Sequence, residues 1–249
     1  DLLVDLHRSA AKIAALYRLL KKTHYQTNIQ DIRRLFDQKK QCFLLAWRGK
    51  DLIGMVWGLR EGELSKSLAD AVFRGLRRPR GNLVPQLLSA QSYYPEAMEM
   101  RFLRISRISV LEPFRFQGVA KKMLEKLTLE LGKSFDFLSV SFGLTDSLLT
   151  FWRKMGYEWI HIGSHRDRVT ALHAAVMIKP LSPAAVEWLK EVERRWRGDL
   201  YYLREAPHFS KDAQRILQKE DFSHSSFDER DRLALEAHRV DKKSYHSAY

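Results

Sequence analysis

The 249 residues carry 43 Lys+Arg against 30 Asp+Glu, a formal net charge of +13, and 45% of them are hydrophobic. That supplies a substantial core for one or two domains, while no run of eighteen apolar residues offers a membrane span. A single cysteine excludes an internal disulfide and fits a reducing, cytoplasmic setting, and a chain that opens on Asp1 rather than Met is expected to be a piece of a longer protein.

In chain order, residues 5–22 have helical periodicity, with Leu6, Ile13, Leu16, Leu19 and Leu20 on one side. A His24-Tyr25 segment leads to a second short helix over 29–36, with Asp31 in its first turn. Two strand-like runs, 41–48 and 52–60, flank Gly49-Lys50-Asp51, a hairpin signal. Cys42 lies in the first of them and reads as a core residue rather than a nucleophile. Helical patterns at 63–76 and 83–93 are separated by the Pro/Gly loop Arg77-Arg78-Pro79-Arg80-Gly81-Asn82-Leu83. A strand over 102–110 is followed by a helix in which Val119, Ala120, Met123, Leu124, Leu127 and Leu131 share one face, and Gly132 is expected to close it in the left-handed conformation. Strands at 137–142, 157–163 and 171–179 and a helix at 145–155 complete the pattern. The order predicts an α/β (α+β) fold, a mixed central sheet flanked by helices.

Pro180 and Pro183 mark a boundary, which divides the chain into a domain over 1–181 and a helical connector or tail over 182–249. Ser182 is placed to cap a helix running through Trp196; beyond it the chain reads as polar and irregular, with one helix near 212–219. Residues 197–249 hold ten Lys+Arg and ten Asp+Glu, so the whole positive excess lies in residues 1–196. Such an excess suits a polyanionic partner, although solubility alone also accounts for surplus charge. The densest cluster is Arg74, Arg77, Arg78 and Arg80. A solvated charge run is one reading of it. The other is a phosphate clamp in which Pro79 stiffens the loop, Gly81 admits close approach and the Asn82 amide reads a base edge.

The segment Arg115-Phe116-Gln117-Gly118-Val119-Ala120 stands between a strand and a helix. Small residues there let backbone approach a ligand, and the first amides of the helix, which lack intrahelical partners, suit a pyrophosphate. This R/Q-x-x-G-x-G/A order resembles the acetyl-coenzyme A loop of the GNAT N-acetyltransferases. Further segments are more distinctive: His24-Tyr25-Gln26-Thr27, Arg77 through Val84, Ile105-Ser106-Arg107-Ile108, Leu138-Ser139-Val140-Ser141-Phe142-Gly143, Phe151-Trp152 with Gly156-Tyr157, and Gly163-Ser164-His165-Arg166. Together, over residues 10–185, they resemble the acetyltransferase domain of the bacterial tRNA(Met) cytidine acetyltransferases.

The resemblance implies a GNAT fold, acetyl-CoA as donor and the wobble cytidine of elongator tRNA(Met) as acceptor. It gives Ile108, Ser109 and Val110 to the pantetheine arm. It gives Arg115, Phe116, Gln117, Gly118, Val119, Ala120 and Lys121 to the diphosphate. Lys154 falls at a cationic coenzyme contact, and Ser147 at a contact position that is acidic in relatives. Arg77, Arg78, Arg80 and Asn82 are the RNA-binding candidates. The family also implies a helicase-like ATPase module elsewhere in the full-length protein, and no G-x-x-x-x-G-K-[ST] match occurs in this chain. No metal ligand set is expected.

For the chemistry, His24 is the first candidate general base, since an imidazole near pH 7 can take a proton as the cytosine amine attacks. A helix-end histidine bonding a free carbonyl is the competing reading, and His165 is the runner-up. Trp152 stands where many GNAT enzymes place a Tyr acid, and an indole N–H is no useful acid. An acetyltransferase of a protein or small-molecule amine, and a non-catalytic RNA-binding module, remain open at this point.

Overall fold

A computed structural model describes residues 2–3, 10–23, 41–224 and 227–240. The chain forms two compact units, one of residues Asp1–Arg60 and Leu103–Lys133, the other of Glu61–Phe102 and Ser134–Tyr249.

In the first unit, β1 (Leu2–Leu3), β2 (Gln41–Arg48), β3 (Asp51–Gly62) and β4 (Arg101–Val110) follow one another in sheet order. The predicted hairpin forms. Arg48 pairs with Asp51 across Gly49-Lys50, Gly49 takes φ +61°, and the antiparallel register continues to Gln41 opposite Leu59. β2 is buried on both faces from Gln41 to Leu45, which is why it reads as an unbroken apolar run. Leu16, Leu19 and Leu20 of α1 (Ala10–Thr23) share a core with Phe43, Leu45, Leu52, Met55 and Trp57. The Trp57 indole stacks on Phe43 and donates to Gln41 Oε1 at 3.0 Å, so its one polar atom is satisfied inside. Cys42 is a core residue as expected; burial pushes its thiol up to about 11. α4 (Val119–Leu131) buries Met123, Leu124, Leu127 and Leu131, the predicted face.

In the second unit, β7 (His173–Pro180) lies between β5 (Phe137–Gly143) and β6 (Glu158–Arg166), antiparallel to both. The helices α3 (Leu83–Ala90) and α6 (Pro183–Leu203) share a core of Val84, Leu88, Tyr94, Phe102, Phe137, Val176, Ile178, Leu189 and Val192, while α2 (Lys66–Phe73) packs Ala69 and Val72 with Met98 and α5 (Asp146–Lys154) packs Trp152 on Phe142 and Tyr157. Strands and helices thus alternate in the predicted α/β manner.

Three expectations differ or fall outside. Gly132 is right-handed (φ −57°, ψ −27°) rather than left-handed, and a Cβ there would lie 2.6 Å from the Thr128 carbonyl oxygen, so crowding rather than a special turn selects glycine. The helix expected at 29–36 and the base candidate His24 lie outside the described residues. Beyond residue 197 the chain is not irregular. α6 continues to Leu203, α7 (Lys211–Leu217) is the helix expected near 212–219, and α8 (Glu229–Val240) follows where no helix was expected. α6 buries Ala185, Leu189, Val192, Trp196 and Leu200 and α7 buries Ala213, Ile216 and Leu217, whereas α8 buries two alanines, Ala234 and Ala237; charge pairs add to this packing. Arg230 donates to Glu96 at 2.9 Å and to Glu191 at 3.2 Å and lies over the Tyr94 ring, while Arg195 pairs with Asp228 and Asp231. Asp146 accepts from Lys219 and Arg215, which fixes α7 to the start of α5.

Arg101 grips Asp136 with two guanidinium nitrogens and its own backbone N–H, so hydrogen bonding holds the Asp136 carboxyl below its usual value of 3.8. A depressed carboxyl contributes stability above its unfolded value and loses it as pH falls through the folded one. Asp136→Asn should therefore lower the urea midpoint at neutral pH, and the gap to the parent should close in acid below that value. A gap unchanged in strong acid would show that the charge is not what stabilises.

Candidate active site and anion-binding loops

β4 ends at Val110, and the Leu111 N–H bonds the Ile53 carbonyl at 2.9 Å, which ties the strand end to β3. A short 3₁₀ turn, Glu112–Phe114, then lifts the chain away, and the Arg115 N–H closes it on the Glu112 carbonyl. The next four residues make the loop. Phe116 takes φ +60° and Gly118 φ +77°, two left-handed residues two apart, and Gly118 becomes the residue before α4. Nothing lies within 4 Å of a Cβ built on Gly118, so its glycine answers to conformation alone and the space beside it is open.

The helix start is bare. Among the described residues no side chain caps it, no acidic residue lies in its first turn, and the first helical bond of this turn is Lys122 N–H to the Gly118 carbonyl. The amides of Val119, Ala120 and Lys121 are then the unpaired donors that every helix start presents, at the positive end of the helix dipole. The flanking side chains fold back on the loop rather than over these donors: Arg115 Nε donates to the Val110 carbonyl at 3.2 Å and Gln117 Nε2 to the Pro113 carbonyl at 2.7 Å. Lys121 shares an exposed ion pair with Glu125 at 3.7 Å. The Phe116 ring projects wholly into solvent. Upstream, Ser109 is buried and its carbonyl lies against Gly54, where a Cβ would sit 3.2 Å from that oxygen; Ile108 and Val110 are half-buried. Ile108–Val110 and Arg115–Lys121 thus form one continuous strand, loop and helix start. An uncovered array of backbone donors with no carboxylate in its first turn is suited to a diphosphate.

The other predicted residues lie in the second unit. Ser147 and Lys154, seven residues apart, share one face of α5, and both are exposed. The Ser147 hydroxyl lies 3.2 Å from that of Thr145, the residue that caps the helix by accepting from the Leu148 N–H. Trp152 is 3% exposed and packs on Phe142, Phe151 and Tyr157, so it is core rather than a contact for the leaving thiol. Burial drives the Tyr157 phenol far above its usual range. His165 is exposed, with Nδ1 3.0 Å from the Ser164 hydroxyl.

Arg77, Arg78 and Arg80 are exposed, and none has an ion-pair or hydrogen-bond partner among the described residues. The loop that carries them is braced from below by residues that sequence reading missed. Gly62 (φ +86°) donates its N–H to Asn82 Oδ1 at 2.8 Å. Asn82 is itself left-handed at φ +56°, and its amide oxygen accepts this bond, so its NH₂ is the group left for a base edge to accept from. Buried Glu61 accepts the Val84 N–H at 3.0 Å, a carboxylate at the positive start of α3. Gln86 donates to the Pro79 and Gly81 carbonyls. Glu61 and Gly62 read in sequence only as the junction between the strand at 52–60 and the helical pattern at 63–76. Their pairing with residues some twenty positions away has no local signature.

Residues 112–182 match the family model GNAT acetyltransferase 2. The chain is 37% identical over 190 residues to the tRNA(Met) cytidine acetyltransferase TmcA of Haemophilus ducreyi, an alignment covering 74% of this chain and 32% of that protein. It is 32% identical over 240 residues to the TmcA of Actinobacillus pleuropneumoniae, covering 95% of this chain and 40% of that protein, and 39% identical over 188 residues to the Pectobacterium atrosepticum one, covering 75% and 27%. The chain therefore spans about a third of the length of the curated relatives it matches.

A Cβ on Gly62 would stand 1.8 Å from the Met100 carbonyl oxygen, in a backbone region that L side chains avoid. Gly62→Ala should destabilise the chain by about 3–5 kcal/mol, the range of strained, overpacked backbone sites, measured by urea unfolding. A loss within the error of ordinary surface substitutions would show that the strand end and the loop do not depend on this approach.

Proposed function

From a chain that belongs to the GNAT acetyltransferases and is homologous to the tRNA(Met) cytidine acetyltransferases, we propose that it transfers acetyl from acetyl-CoA to the exocyclic amine of the wobble cytidine of elongator tRNA(Met). The observation that carries this is the bare start of α4 behind the Gly118 turn, in a chain that also displays three arginines without acidic partners among the described residues. The site fits the donor: three backbone amides for the diphosphate, no carboxylate in the first turn to repel it, and open space beside Gly118. When bound, the thioester supplies an activated acetyl group. The chain's own part is to seat the diphosphate on the amides of Val119–Lys121, to align the pantetheine arm along Ile108–Val110, and to polarise the thioester oxygen with a backbone N–H near Val110. The cytosine amine is conjugated with its ring and weakly nucleophilic, so it must shed a proton as the new bond forms, and we assign that proton to His24. Direct attack suits a chain whose one cysteine is buried with its thiol pushed up to about 11.

Lys154 is assigned as a cationic coenzyme contact. Ser147 replaces the acidic residue of relatives and would contact the same coenzyme by its hydroxyl. Arg77, Arg78, Arg80 and the free Asn82 NH₂ are assigned to tRNA phosphates and an adjoining base. We read residues 1–181 as the acetyltransferase domain and 182–249 as a helical extension toward RNA. Because the relatives are some three times longer, we place a helicase-like ATPase module in the remainder of a cytoplasmic full-length protein. Among the described residues no helix is long and apolar enough to cross a membrane.

Incubating elongator tRNA(Met) with the chain and acetyl-CoA, then digesting to nucleosides for mass analysis, should yield N4-acetylcytidine. His24→Ala should bind acetyl-CoA normally and lose about 10²–10⁴-fold in turnover, the usual worth of acid–base catalysis. Parent-like turnover in that variant would remove His24 from the mechanism. Acetylated polyamine or peptide with unmodified tRNA would replace the substrate assignment.

A further inference from the structure

The arginine loop is held more tightly than charge display requires. Residues 77–82 form a short exposed turn, where chain is ordinarily loose. Here three side chains engage four backbone groups at its base: Glu61 with the Val84 N–H, Asn82 with the Gly62 N–H, and Gln86 with the Pro79 and Gly81 carbonyls. Glu61 does this while 4% exposed. A buried carboxylate is costly to keep unless it is hydrogen-bonded, so its presence is explained by what it fixes. Gly62 adds a steric constraint, since its α-carbon abuts the Met100 carbonyl and the strand end cannot slide. Above this base stand Arg77, Arg78 and Arg80, exposed and partnerless among the described residues.

We infer that Glu61, Asn82 and Gln86 are positioning residues that hold the backbone carrying the three arginines in one conformation, so that the loop recognises the fixed phosphate geometry of a folded RNA rather than charge density alone. A flexible arginine run gains Coulomb attraction for any polyanion but must be ordered on binding each of them, and so discriminates little. A pre-ordered loop gains from the ligand whose phosphates already match it and gains nothing extra from a flexible strand that must itself be ordered. Arg is suited to this because its planar fork meets phosphate oxygens in pairs and leaves little tolerance in direction. The inference rests on the tRNA reading above and specifies how that substrate is chosen.

The test is a binding titration of the full chain against folded tRNA(Met) and against poly(U) of equal length, over a range of salt. Gln86→Ala removes the bonds to the loop carbonyls from a half-buried side chain and leaves every arginine in place. It should weaken folded tRNA binding about tenfold, leave poly(U) binding within about twofold, and keep the parent's poly(U) salt slope, because that slope counts phosphate contacts. Glu61→Gln keeps an acceptor for the Val84 N–H and should retain most of the discrimination that Glu61→Ala loses. Replacing Arg77, Arg78 and Arg80 together by Ala should weaken both ligands and lower the slope by about two to three. If the arginine variant matters and Gln86→Ala weakens both ligands equally, or neither, positioning is wrong while the tRNA reading stands. If the arginine variant binds tRNA like the parent, the tRNA assignment of this loop fails first.

Discussion

An α-helix starts with amides that its own geometry leaves unbonded, and what a protein does with them decides whether that end is structural or chemical. Five other described helices spend a side chain there: Thr145 caps α5, Ser182 caps α6, Ser210 caps α7, Asp228 caps α8, and Glu61 takes the Val84 N–H of α3. α4 does not, and neither does α2, whose preceding Ser65 makes no such bond. Its preceding residue is a left-handed glycine with no side chain to offer, its first turn holds no acid, and Arg115 and Gln117 bond loop carbonyls instead. The functional reading of the first unit depends on this one uncapped terminus. Phe116, held left-handed and fully exposed beside it, is a local arrangement that folding alone does not favour.

The second unit solves an opposite problem. There the aim is to keep positive charge apart from negative charge without letting the chain wander. Acidic residues are plentiful around α6 and α8, and arginines that serve the fold, Arg101, Arg195 and Arg230, are paired with them. Among the described residues Arg77, Arg78 and Arg80 have no such partner. The loop gains its order from Glu61, Asn82 and Gln86 acting on backbone groups, so the guanidinium groups are left for a ligand. Surface ion pairs add little stability, whereas bonds to the backbone of a short loop define its shape.

What was legible in the sequence was whatever repeats at a short period. The β2–β3 hairpin, the face of α4 and the strand, loop and helix around Gly118 all follow from patterns within fifteen residues. Three kinds of feature were not legible. The pairing of Glu61 and Gly62 with residues beyond 80 depends on chain returning from far away. The conformation of Gly132 turns on 2.6 Å of clearance to a carbonyl, which left-handed preference does not reveal. The last helix, α8, buries two alanines, Ala234 and Ala237, and is anchored through charge by Arg230 and by Arg195 on Asp228 and Asp231, so its apolar face is too narrow to show as a stripe. Trp152 illustrates a position where pattern favours core without separating it from a site; its packing on Phe142, Phe151 and Tyr157 decides.

The central claim is that the bare start of α4 holds a diphosphate. Calorimetric titration of the chain with coenzyme A and, separately, with pantetheine, which has the same arm and no phosphates, addresses it directly. The account predicts saturable binding of coenzyme A that weakens with added salt, and no measurable binding of pantetheine at the same concentrations. Equal affinity for the two would contradict it, because the arm rather than the helix start would then carry the coenzyme.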